Sequence, residues 1–318
     1  MNLAQKDTQI VFICQPGNLL LKSLLLAYSL EQHTRLEKYV CIPEQFQNRI
    51  PTTVLNVFKV LNTHIKYFNN AFIAQKKAIE PGDWMSNKFY ALQLFNQENN
   101  LLFLDSDIIC LQDINLPKSN FDFAAKPADF STQANWELLF NEFSTKATGR
   151  VTHATVEITP SPPYFNSGVL WLGHLKFNQF LSDWMATFMA LSKDNGATGQ
   201  YDMYHRDQIA FTLAIEKLNL GYLELTETHN FPARRRDELS KKTIFAHYHD
   251  VFTIHKHQRL RAIFEKFMHE FPEVSDLYNK SLSWKWLHKN AEIRLMLYQK
   301  FIGIKRRISK FKNQFQKA

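Results

Sequence analysis

The chain has 318 residues, a formal net charge of +8, 45% hydrophobic and 14% aromatic content. That is enough for one large domain, or one domain with an appendage, and no apolar run reaches the length of a membrane-spanning helix. Ten Lys or Arg against the single acid Glu292 between positions 281 and 318 place the basic charge in the tail, which argues against nucleic-acid binding by the body.

The opening "MNLAQKDTQIVFICQPG" is polar where a signal peptide would be apolar, so a chain made and kept in the cytosol is expected. Cys14, Cys41 and Cys110 each stand beside Val, Ile or Leu and form no CxxC pair. They read as buried reduced thiols, not as a disulfide framework or a zinc site.

In chain order, "QIVFIC" predicts a strand and "NLLLKSLLLAYSL" a helix. "KYVCIP" predicts a second strand and "FNNAFIA" a weaker one, followed by a helix over "SNKFYALQLFNQ" capped by Ser86. "NNLLFL" is the next strand. These strands are continuously apolar rather than alternating, the pattern of a parallel sheet covered on both faces. From Asn120 to Pro163 the chain reads as loops and short elements over a site. "YFNSGVLWLG" predicts a strand, "FNQFLSDWMATFMALSK" and "RDQIAFTLAIEKL" helices, and "GYLELT" and "TIFAHYH" late strands. The fold class is α/β, with a mostly parallel central sheet flanked by helices and a basic helical tail. A catalytic domain is drawn at 1–260 and a C-terminal region at 261–318.

The segment "NNLLFLDSDIICLQDI" sets two carboxylates inside an apolar run. On a strand, Asp105 and Asp107 share a face and Ser106 takes the other. Two adjacent carboxylates repel, and a hard divalent cation relieves that cost. Their position at a strand's carboxyl end is where open parallel sheets collect ligands. Asp and Ser are also common where a strand leaves the core into a turn.

The run resembles the DxD segment of the GT-A glycosyltransferases, and further motifs are similar to family 8, the glycogenin-like and lipopolysaccharide galactosyltransferase group. "PYFNSGVLWL" resembles that family's next strand, "HRDQIAFTL" its Asp-Gln pair and "IFAHYHD" its late His, together covering about residues 8 to 255. The resemblance implies the GT-A (Rossmann-like) fold and transfer of a hexosyl group from a nucleoside diphosphate sugar, a UDP-sugar, to an acceptor hydroxyl with retention. It implies a manganese or magnesium ion held by Asp105, Asp107 and His247. It implies donor contacts from Lys88, Asp105, Ser106, Asn166, Ser167 and Gly168, and places Asp207 and Gln208 at the sugar. An imidazole beside carboxylates suits manganese somewhat better than magnesium.

On spacing alone, His247 and His249 are equivalent; the family's His-aromatic pattern favours His247. Asp207 in a first helical turn is also favoured by the helix dipole, and Lys88 reads equally as a solvated lysine. The family's Gly-rich segment ending in Lys-Pro-Trp is missing from "HYHDVFTIHKHQRLR", where Lys256 or Arg259 could stand in for its lysine.

In the tail, Leu297, Phe301, Ile304, Ile308, Phe311 and Phe315 form one helical stripe among Lys and Arg. This predicts docking on an anionic membrane surface, consistent with a cytoplasmic, peripheral enzyme acting on a glycan or lipid-linked acceptor of lipopolysaccharide or capsule type, or packing against protein. Two alternatives compete: a His-rich metal-dependent hydrolase built on "HYHD" and "HKH", and a nucleic-acid-binding protein using the tail.

Overall fold

Thr8–Ile13 (β1), Glu37–Pro43 (β2), Thr63–Phe68 (β3) and Asn100–Leu104 (β4) form the parallel half of a seven-stranded sheet. In this computed structural model the described residues are 8–76, 79, 81–95, 99–115, 121–130, 132, 134–155, 160–193 and 205–280. The sheet continues from β4 through Phe165–Leu172 (β9) and Phe123–Pro127 (β6) to Tyr222–Glu224 (β10). β9 runs antiparallel to both β4 and β6, and β10 is parallel to β6. Between them in sequence lie Ile108–Cys110 (β5) and the short pair Thr152–His153 (β7) and Pro160–Ser161 (β8). A second sheet joins Phe231–Pro232 (β11), Phe245–His247 (β12) and β5, with β12 antiparallel to β5.

The helices are Asn18–His33 (α1), Thr52–Val60 (α2), Ala71–Gln75 (α3), Asn87–Leu92 (α4), Trp136–Glu142 (α5), Phe177–Lys193 (α6), Arg206–Leu218 (α7), Val251–Lys256 (α8), Gln258–Glu270 (α9) and Ser275–Lys280 (α10). The apolar strands are explained by two separate cores. Ile10, Phe12, Leu102, Leu104, Val169 and Trp171 pack on one face with α1, α2 and α9. Val11, Leu101, Phe103, Leu170 and Leu172 pack on the other with α4, α6 and α7. Neighbouring residues of one strand point to opposite faces, so burial on both sides removes any polar alternation.

Three local expectations are corrected. "FNNAFIA" is not a strand: Phe68 ends β3, and Asn70 caps α3 by accepting from the Ile73 amide at 3.0 Å. The actual strand, "THIKYF", is an edge strand whose middle residues are exposed or half-buried, so it lacks the greasy signature of its neighbours. Ser86 does not cap α4, because a 3-10 turn over Pro81–Ser86 already holds it in helical geometry and its hydroxyl accepts from Asn70 Nδ2. The stretch from 120 to 163 contributes β6, all five residues of which are buried within the main sheet.

The boundary drawn at residue 260 falls inside α9, whose Leu260, Phe264 and Phe267 belong to the first core. The basic stripe from Leu297 to Phe315 lies outside the described residues. No described helix is long and apolar enough to cross a membrane.

Trp184 on α6 ties the second core to the site. Its ring meets Phe89 and Phe211 at centroid distances of 4.8 Å, and its indole N–H donates to the Asp207 carbonyl at 2.8 Å. Truncating so large a buried ring removes packing and leaves a cavity. Trp184→Ala is expected to cost about 3–5 kcal/mol of folding stability in chemical denaturation.

Candidate active site

β4 ends at Leu104, and Asp105 to Asp107 follow as a turn clamped from two sides. The Asp105 amide donates to the Gly168 carbonyl of β9 at 2.8 Å, and the Tyr248 amide beyond β12 donates to the Asp107 carbonyl at 3.0 Å. The Ser106 hydroxyl donates to the carbonyl of Ile13 at the end of β1. Strand alternation therefore does not set the directions of the two carboxylates, since the motif has already left the strand. Both still line one cavity of about 1040 Å³ beyond the carboxyl ends of β1 and β4, and each takes its own partner.

Asp105 Oδ1 lies 3.7 Å from Lys88 Nζ. Burial pushes the Asp105 carboxyl upward and outweighs the Lys88 charge, with Asp107 and Asp207 acting in the same direction as burial. Asp107 goes the other way. Burial raises it too, but the charges of His247 and Lys22 and hydrogen bonds from both histidines hold it well below the usual carboxylate range. The His247 ring nitrogen Nε2 is 3.0 Å from Asp107 Oδ1, and its pKa is raised because the Asp107 and Asp105 charges outweigh burial. His249 is lowered by burial and by the neighbouring His247 charge.

His249 reaches the site by an unusual backbone. Its φ is 58°, left-handed for a residue with a Cβ, and its Nδ1 stands 3.7 Å from Asp107 Oδ2. Such a conformation costs of order 1–3 kcal/mol and persists where the surroundings enforce it. Both histidines left open by spacing thus meet Asp107, with ring centroids 4.0 Å apart. Among the described residues, Asp107, His247 and His249 offer donor atoms within 4.8 Å of one another. One carboxylate and two imidazoles fit a divalent ion of borderline character. Asp105 stands outside this trio, turned towards Lys88.

Lys88 is buried, not solvated. It donates to the Ser167 carbonyl and hydroxyl, both at 2.9 Å, and pairs with Asp207 Oδ2 at 3.4 Å. Ser167 Oγ donates to the same Asp207 oxygen at 2.6 Å. A first-turn lysine is unfavourable against a helix dipole, and here two carboxylates offset that cost. Asp207 serves this network through its carboxylate, while Gln208 beside it lines the cavity.

Gly168 is required for closeness. A Cβ built there would lie 2.8 Å from His247 Cε1 and 2.9 Å from Asp105 Oδ2. The glycine lets these side chains approach each other. Asn166 Oδ1 accepts from the Gly168 amide and from Asn230 Nδ2, both at 2.8 Å, and the residue lines the cavity.

Three site residues escaped the sequence reading. Asn230 orients Asn166. Arg235, its guanidinium carbon 4.0 Å from the centroid of the Phe130 ring, adds a cation to the cavity lining. Lys22 lies 3.3 Å from Asp107 Oδ2, and its signal was present in the sequence as a lone cation within "NLLLKSLLLAYSL". Neither Lys256 nor Arg259 lines the cavity: Lys256 pairs with Asp237, and Arg259 donates to the Ser240 and Leu111 carbonyls. Of the four histidines that suggested a hydrolase, His255 and His257 stay outside the lining, and His257 bonds to the Ala233 carbonyl at 2.8 Å.

The Rhodobacterales glycosyltransferase domain matches residues 10–219. No curated protein sequence matches the chain. Among solved structures, the glycosyltransferase GlyE of Streptococcus pneumoniae TIGR4 superposes with a TM-score of 0.51 at 13% identity over 87% of this chain. This chain spans 65% of the GlyE chain. The galactosyltransferase LgtC, solved with donor and acceptor sugar analogues, superposes with a TM-score of 0.50 at 13% identity, covering 83% of this chain and 95% of its own. At such identities the likeness concerns the fold, which is the GT-A fold that the motifs implied. With the family match spanning most of its length, the chain belongs to the Rhodobacterales glycosyltransferase domain family.

Proposed function

We propose that this glycosyltransferase moves a hexosyl group from a UDP-sugar to a hydroxyl of a glycan or lipid-linked acceptor, of lipopolysaccharide or capsule type, with retention at the anomeric carbon. The observation that carries the reading is convergence. Lys88, Asp105, Asp107, Asn166, Asp207 and His247 come from five separated stretches of sequence and line one cavity.

In this reading Asn166 and Asp207 hold donor-sugar hydroxyls, since an amide and a carboxylate offer the donors and acceptors a sugar needs. Lys88 holds the Asp207 carboxylate in place, directly and through the Ser167 bridge. Gln208 stands by the anomeric carbon, where a neutral amide can orient but not attack; the leaving diphosphate then serves as base on the same face. Trp84, Phe130 and Tyr164 line the same cavity and offer apolar faces to sugar rings. Asp107, His247 and His249 would hold the ion, and Asp105, whose Oδ1 lies by Lys88 and whose Oδ2 lies on the His247 side of Gly168, would join them through Oδ2. A manganese ion, or magnesium in its place, would neutralise negative charge on the leaving diphosphate. The basic tail would hold the enzyme on the cytoplasmic face of an anionic membrane, close to a lipid-linked acceptor.

Two outcomes test this. In thermal shift, UDP-sugars are expected to raise the melting temperature of the wild-type protein more with manganese than with chelator. Asp107→Ala, itself folded, should lose that metal-dependent increment, and an increment equal to that of the wild type would count against the model. Gly168→Ala should weaken manganese binding in titration, because its methyl group displaces His247 or the Asp105 carboxylate.

Lys88→Met is expected to lower kcat/KM for the donor by about a hundredfold, the scale of removing one fixed charge partner from a site. Lys88→Arg restores little, because the pocket around the Ser167 carbonyl is built for a compact ammonium.

A further inference from the structure

Lys22 has no role in the reading above. It is the only charged residue on α1 between Asn18 and Leu30, surrounded by buried Leu21, Ser23, Leu24 and Leu25. Its side chain is 13% exposed. The ammonium reaches across to the turn, 3.3 Å from Asp107 Oδ2, and donates to the His249 carbonyl at 2.5 Å. The other oxygen of the same carboxylate meets His247. Both oxygens of Asp107 are therefore engaged, one by an imidazole and one by a fixed positive charge.

A divalent ion gathered by Asp107, His247 and His249 uses the carboxylate that Lys22 already neutralises. Two like charges sharing one carboxylate in a partly buried site repel strongly, because little solvent lies between them. Lysine suits an exchangeable role, since its charge sits at the end of a flexible four-carbon stem that can stay packed on the helix while the ammonium moves. The same charge, left in place, stands directly behind Asp107 and His249, which line the cavity where a diphosphate would lie.

Resting on the glycosyl-transfer reading, we propose that Lys22 is a tethered cation that competes with the divalent ion for Asp107 and holds the donor diphosphate when no ion is bound. The enzyme then has two cationic states at one carboxylate. In one the ion is seated and Lys22 has withdrawn; in the other Lys22 is seated and the donor binds without metal. A lysine that merely ties α1 to the turn after β12 would leave metal affinity unchanged or lower it on removal.

The experiment compares wild type, Lys22→Met and Lys22→Arg in the full chain, each confirmed folded by its melting curve. Free manganese is followed by electron paramagnetic resonance during titration, and UDP binding is measured by calorimetry with manganese and with chelator. Lys22→Met is expected to bind manganese at least about tenfold more tightly than wild type and to bind UDP in chelator at least about tenfold more weakly. Lys22→Arg, which keeps the charge, should stay close to wild type in both. Equal or weaker manganese binding by Lys22→Met, or unchanged UDP binding in chelator, overturns the proposal while leaving donor binding with manganese intact. Absence of UDP binding by wild type in both media would instead sink the glycosyl-transfer reading and this proposal with it.

Discussion

The site depends on how two carboxylates are kept at the end of one strand without tearing it open. Asp105 and Asp107 stand two residues apart at the edge of an apolar core, where unpaired charge is expensive. The structure separates their burdens: Lys88 stands by Asp105, while His247, His249 and Lys22 stand by Asp107. The outcome is asymmetric. Asp107 is held ionised by its three neighbours, and Asp105 is raised by burial and by the neighbouring carboxylates. An oxygen donor set of fixed charge on one side and a more easily protonated group on the other is a consequence of this division.

Topology supplies those partners. The antiparallel insertion of β9 next to β4 brings Asn166, Ser167 and Gly168 alongside Asp105, with the Asp105 amide bonded to Gly168. The small sheet of β11, β12 and β5 turns the chain after Asp107 back against His247. α4 and α7 then close the network through Lys88, Ser167 and Asp207, and Trp184 locks the backbone of Asp207 from the second core. Packing and chemistry share residues here. A change in the core beneath α7 is felt at the Asp207 carboxylate without any contact between the two side chains.

Closeness is the second constraint. Gly168 has no room for a methyl group between His247 and Asp105, and His249 accepts a left-handed backbone to reach Asp107. Both are local costs that a plain strand end would not carry. They make sense where several side chains have to meet within a few ångströms of one another, and they coincide with the family match and the GT-A fold of the chain.

Much of this was legible in the amino-acid order. Runs such as "QIVFIC" and "NNLLFL" announced strands buried on both faces, because a strand covered by helices on each side needs apolar residues at every position and so loses its alternation. The bounds of α7 followed from local pattern, and the resemblance in motif order singled out Asp105, Asp107, Asn166, Asp207 and His247, which line one cavity. Pairing across the fold was not legible. Nothing near Lys22 in sequence indicates Asp107, 85 residues away, and nothing near Lys88 indicates Asp207, 119 residues away. The edge strand β3 and the buried β6 were missed because their residues follow their neighbours in the sheet rather than their own propensities. Sequence determined which chemical groups the chain possesses and roughly where each strand ends; only the tertiary structure decided which charges meet, because contact energies act through space and the chain's own order does not encode distance.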